Sequence, residues 1–200
     1  MKTKERILKE ALMLFAKEGY EAVSVRDIAA KLNITQAALY KHYKSKHDIL
    51  ESILEKMAEQ DAAASRETGV PDMPYADAPS AYSKTDLASV KRFALRQFEW
   101  WTQDDFAAGF RRLVTIEQYA SEDMSALFQQ YFAGGVISYL EDIFCRSGVK
   151  DPYCAAVQFY SPMFMLYNLY DASADKGRVN EALKKHIRNF SPEGNYNEIY

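Results

Sequence analysis

The chain has 200 residues, a formal net charge of −3, 14% aromatic residues and two cysteines. That length allows one large domain or two small ones, and it holds no apolar run as long as a membrane span, no visible signal peptide after Met-Lys-Thr-Lys-Glu-Arg, and too few cysteines (Cys145 and Cys154, read as free, partly buried thiols) for a disulfide framework. The charge is uneven: residues 1–50 carry ten Lys/Arg against six Asp/Glu, a net +4, and residues 51–200 carry fifteen against twenty-two, a net −7, as in a small basic reader carried by an acidic body.

Ile7, Ala11, Leu14 and Phe15 repeat at helical spacing, and Gly19 fits the position just past a helix end. Ser24 with Asp27 three residues on makes a capping box for a second helix, whose apolar face is Ile28, Ala29 and Leu32. Asn33 ends it, since asparagine tolerates the positive φ of a tight turn. Ile34 plugs the core under that turn, and Thr35 caps a short third helix from Gln36 to Lys41. Glutamine pairs with adenine in a major groove, alanine touches a thymine methyl and lysine reaches guanine or phosphate, so Gln36, Ala37, Tyr40 and Lys41 suit a DNA groove. Ser45 with Asp48 is a second capping box, and the helix it starts presents Lys46 and free N–H groups to a phosphate. Two short helices joined by a tight turn form a helix-turn-helix.

That fourth helix runs on with an apolar stripe of Ile49, Leu50, Ile53, Leu54 and Met57. Residues 66–83, with Gly69, Pro71, Pro74 and Pro79, read as a loop. Helical spacing returns with Leu87, Ala94, Phe98 and Trp101, then with Phe106, Phe110, Leu113 and Glu117, then from Leu127 to Phe144 with Gly134-Gly135 as a kink or close-contact point. Pro152 opens a segment with large apolar groups on nearly all sides, Pro162 should kink it, and such a helix needs cover from a partner subunit. A last helix carries Val179, Leu183, Ile187 and Phe190, before a polar tail from Ser191. Glu117 sits in an apolar face and needs a partner there. Lys91 is the candidate, as a structural ion pair, with a counter-charge for a cationic ligand as the other reading.

Phe15 to Leu50 resembles the DNA-binding head of tetracycline-repressor (TetR) family regulators. The matching pieces are Phe15-Ala16-x-x-Gly19-Tyr20, Val25-Arg26-Asp27-Ile28-Ala29, Leu39-Tyr40-Lys41-His42-Tyr43 and Ser45-Lys46. The departures are Asn33 and Ala37, where glycine is common, and Tyr43 for phenylalanine. The resemblance implies an all-α fold, a helix-turn-helix domain over residues 1–47 and a helical effector-binding and dimerisation domain over 48–200. It implies DNA contacts from Ser24, Thr35, Gln36, Ala37, Tyr40, Lys41, His42 and Lys46. It further implies a homodimer on an inverted-repeat operator, with Phe159, Met163, Tyr167, Leu183 and Ile187 at the interface. It implies a small hydrophobic or aromatic effector in the body, and the helical faces themselves offer Phe98, Trp101, Phe110 and Glu117 as the pocket candidates.

The function expected is a ligand-released repressor of transcription in the bacterial cytoplasm, nucleoid-associated when on DNA. A helical dimeric interaction protein without effector, and an activator of the same fold, are the alternatives. No enzyme and no cofactor or metal is expected. The chain has no Gly-rich phosphate loop, no His-Glu-x-x-His, no Cys-x-x-Cys and no Gly-x-Ser-x-Gly, and His42, His47 and His186 are not spaced as ligands.

Overall fold

A computed structural model describes residues 3–68 and 86–193. It has ten helices among the described residues and no strand: α1 Thr3–Glu18, α2 Val25–Lys31, α3 Gln36–Tyr40, α4 Lys46–Thr68, α5 Leu87–Gln103, α6 Asp105–Glu117, α7 Glu122–Phe132, α8 Gly134–Arg146, α9 Pro152–Ala172 and α10 Lys176–Asn189. They fall into two compact units, Met1–Ala64 with Asp104–Phe128, and Ser65–Gln103 with Gln129–Tyr200.

The first unit is built around Ile7, Leu12, Phe15, Ile28, Leu39, Ile49 and Ile53, all without solvent exposure. Its local geometry follows from caps. Ser24 accepts the Asp27 N–H while Asp27 accepts the Ser24 N–H, the reciprocal box. Asn33 has φ 55°, and the Ile34 and Asn33 N–H groups return to the carbonyls of Ala29 and Ala30, which closes α2 with a left-handed turn. Gly19 ends α1 in the same conformation, φ 87°, its N–H on the Phe15 carbonyl. The second box differs from expectation. Asp48 donates its N–H to Ser45 Oγ, but its carboxylate takes the N–H of Lys44, one residue further back.

Helix α6 lies along α1 in the same direction. Asp105 meets Lys9 at one end and Glu117 meets Tyr20 at the other. Between them a Cβ on Gly109 would stand 3.1 Å from Leu12 Cγ, so the glycine lets the two helices close up.

In the second unit α9 packs against α5, α8 and α10. Phe98 stacks on Tyr167 with centroids 4.9 Å apart, Trp101 meets Phe132 edge-on at 4.6 Å, and Phe159 meets Phe190 at 4.8 Å. Pro152 sits in the first turn of α9, where a missing N–H costs nothing, and Asp151 caps it through the Cys154 N–H. Ala133 breaks α7 from α8, and Gly134-Gly135 open α8. A Cβ on Gly135 would lie 2.5 Å from the Gln130 carbonyl oxygen.

Several expectations are corrected. Residues 66–68 are the last turn of α4, while the rest of the expected loop lies outside the described residues. In helix α9 Tyr153, Met165 and Leu169 are exposed on the single chain, as in a helix that needs cover from beyond its own core. Cys145 is exposed, and only Cys154 is partly covered. The Glu117–Lys91 pairing gives way to separate backbone partners. Glu117 accepts the Tyr20 N–H, and Lys91 donates to the carbonyls of Arg188 and Phe190, where a cation suits the end of α10.

Candidate nucleic-acid interface

Helix α3 has five residues and buries one of them, Leu39. Gln36, Ala37 and Tyr40 therefore stand exposed, and Lys41 and His42 follow them at the exposed end. The helix is held from beneath, not by its own length. Five residues are far too few for an isolated helix. Thr35 caps it by accepting the Ala38 N–H at 3.1 Å, and Tyr43, fully buried, anchors the next turn. The Tyr43 hydroxyl donates to the Lys4 carbonyl at 3.4 Å. Burial, with the Asp48 charge nearby, pushes that phenol's pKa up to about 12, so it stays protonated and neutral.

Ser24 is exposed, but its hydroxyl is already inside the capping box with Asp27. Hydrogen bonds from the Ser24 hydroxyl and N–H hold the Asp27 carboxyl below the usual range. Lys46 is the least free of the eight residues. Its Nζ donates to the Tyr20 carbonyl at 2.9 Å and the Glu21 carbonyl at 3.4 Å, and lies 4.2 Å from the centre of the Tyr20 ring. The Glu21 carboxylate is 3.8 Å away.

Sequence reasoning missed Tyr20 and Glu21 as the seat of Lys46. The Gly19-Tyr20 pair was visible, but the carbonyls that hold the lysine are common to every residue and leave no sequence mark.

Around this head the fold matches known regulators. Residues 7–53 match the family model of bacterial regulatory proteins, tetR family. The head belongs to the tetR family. The helix-turn-helix regulator YerO of Bacillus subtilis is 44% identical over 52 residues, 26% of this chain and 18% of that protein. IcaR of Staphylococcus aureus, the negative transcriptional regulator of the biofilm operon icaADBC, is 42% identical over 48 residues, 24% of this chain and 26% of that protein. The match thus spans less than a third of either relative. The fold likeness is wider. A TetR regulator of Legionella pneumophila superposes with a TM-score of 0.65 at 21% identity, covering 94% of this chain and 96% of that one. SmeT, solved with triclosan, superposes with a TM-score of 0.59 at 17% identity, over 92% and 89%. SmeT is described as the repressor of the Stenotrophomonas maltophilia efflux pump SmeDEF.

The other expected site residues fall in two places. Phe98 and Trp101 are buried in the second unit, while Phe110, buried, and Glu117, half-buried, belong to the first. Phe159, Met163, Tyr167, Leu183 and Ile187, expected between subunits, are all interior residues of the second unit. No described helix is long and apolar enough to cross a membrane.

Proposed function

We propose that the protein is a sequence-specific transcriptional repressor that binds an inverted-repeat operator as a homodimer and leaves it when a small aromatic effector binds. Residues 1–47 read DNA, and residues 48–200 hold the effector and the second subunit. The observation that carries this reading is α3, which buries Leu39 and offers Gln36, Ala37, Tyr40 and Lys41 outward. In the major groove Gln36 reads adenine and Ala37 reads a thymine methyl. Lys41, Thr35, His42 and Lys46 meet phosphates and fix the register. Two such heads one helical turn apart require a symmetric site.

The second copy is seated on the outer face of α9. Met165 and Leu169, one turn apart, are 59% and 49% exposed there. The effector is held among the rings of the second unit, against Phe98 and Trp101. The triclosan complex of SmeT supports an aromatic ligand in a protein of this fold. To release DNA, the effector must bind the DNA-free state more tightly than the DNA-bound one.

Selection of bound duplexes from a random library tests this, with a Tyr40→Ala/Lys41→Ala double variant as control. An enriched inverted repeat that the double variant fails to enrich is the expected result. No enrichment at low salt would refute the DNA-binding reading.

A further inference from the structure

We infer that Glu117 is a positioning residue for DNA binding: its carboxylate holds the Tyr20 turn in the place from which Lys46 is presented to a phosphate. The inference rests on the reading of Lys46 as a phosphate contact given above. Its parts all lie in the first compact unit.

The backbone of Tyr20 is gripped at both ends by opposite charges. Its N–H donates to Glu117 Oε1 at 2.7 Å, and its carbonyl accepts from Lys46 Nζ at 2.9 Å. Both bonds are charge-assisted, the stronger kind. The ring of Tyr20 lies under the same ammonium and packs edge-on against Phe15 of α1 at 5.1 Å. An ammonium has three N–H groups. Two face the carbonyls of Tyr20 and Glu21, and the third is the one a phosphate takes, in place of the exposed Glu21 carboxylate 3.8 Å away.

Gly19 makes the grip possible. At φ 87° it turns the Tyr20 N–H toward α6, and a Cβ there would stand 3.2 Å from Glu117 Oε1. Six residues, Gly19 to Ser24, separate the end of α1 from the start of α2. Fixing Tyr20 therefore fixes both the entry to the helix-turn-helix and the lysine of α4. Helix α6 is thus joined to the Tyr20 turn through one carboxylate.

Charge alone predicts the opposite of this role. A carboxylate in a head that binds a polyanion weakens binding, so its removal should tighten the complex. The grip predicts that its removal loosens it. Glu117→Ala and Glu117→Gln both delete the charge, but only glutamine keeps an acceptor oxygen. The experiment measures affinity for the selected operator across a salt series, with hydrogen exchange of the Tyr20 amide by NMR.

In Glu117→Ala the Tyr20 amide should exchange faster and the operator should bind roughly tenfold more weakly, the effect of one lost charge-assisted bond. The salt slope should stay at the wild-type value, because the number of phosphates neutralised does not change. Glu117→Gln should restore most of both losses. Unchanged exchange at Tyr20 in Glu117→Ala overturns the inference, as does tighter binding by both variants. If the alanine variant does not fold, glutamine decides: affinity at or just below wild type agrees with the grip, and affinity above it does not. If the wild type selects no duplex, the regulatory reading fails, while Tyr20 exchange still decides whether Glu117 holds the turn.

Discussion

Lys9 Nζ stands 2.7 Å from the Asp105 carboxylate, a contact between residues 96 positions apart that pins the start of α6 to the middle of α1. With Gly109 against Leu12 and Glu117 against Tyr20, it makes α6 a fourth wall of the head rather than a remote part of the body. A signal that displaced α6 would reach the helix-turn-helix through α1 as well as through α4.

The Lys9–Asp105 pair should give a small, pH-dependent stability. The Lys9 hydrogen bond and charge hold the Asp105 carboxyl below its ordinary value of 3.8, and Asp105 in turn raises the Lys9 ammonium above 10.5. A depressed carboxyl pKa contributes stability that is present above 3.8 and lost as pH falls through the lower folded value. The raised lysine contributes below 10.5 and fades as pH rises through its folded value. Both side chains are well exposed, so Asp105→Asn should cost only about 0.5 kcal/mol at neutral pH and low salt. Urea titrations at pH 7 and pH 3 check this. The gap from wild type should shrink at pH 3 and in molar salt.

Asn33 holds a left-handed conformation that a Cβ-bearing residue without a short polar side chain resists. Asn33→Ala should lower stability by about 1 kcal/mol, and Asn33→Gly should leave it unchanged or raise it slightly. Equal midpoints for the alanine and glycine variants would show that the turn does not demand this φ.

Adjacent glycines should respond differently. A Cβ on Gly134 meets the end of the Gln129 side chain at 3.1 Å, which can move aside, whereas on Gly135 it meets the Gln130 backbone oxygen at 2.5 Å. Gly135→Ala should therefore destabilise by roughly 2 kcal/mol, within the range for overpacking, and Gly134→Ala by much less. Thermal melts of the two variants distinguish them.

Gln36 and Lys46 should separate sequence reading from phosphate holding. Gln36→Ala should relax base preference at one operator position at a cost of about 1–3 kcal/mol. Lys46→Ala should weaken all sequences alike and reduce the salt slope by about 1. A Lys46→Ala variant with the wild-type slope would mean that the ammonium serves only the Tyr20–Glu21 turn.

The features legible in the residue order are those whose physics is local. A serine three residues before an aspartate, a threonine before Gln36, and an asparagine or glycine at a left-handed turn each satisfy backbone groups within five positions. The boundaries of α2 and α3 and the exposure of Gln36, Ala37, Tyr40 and Lys41 follow from them. The partners of distant polar groups emerge only from packing. Glu117 and Lys91 both lie on largely apolar faces, which suggested that they pair, yet each ends on backbone atoms of a segment 97 or more positions away. A backbone N–H or carbonyl is offered by every residue, so no side-chain pattern can announce that partner. The same holds for α9. Its apolar residues cover every side in sequence, and only packing against α5, α8 and α10 selects Phe159, Met163 and Tyr167 for the interior and leaves Met165 and Leu169 outside.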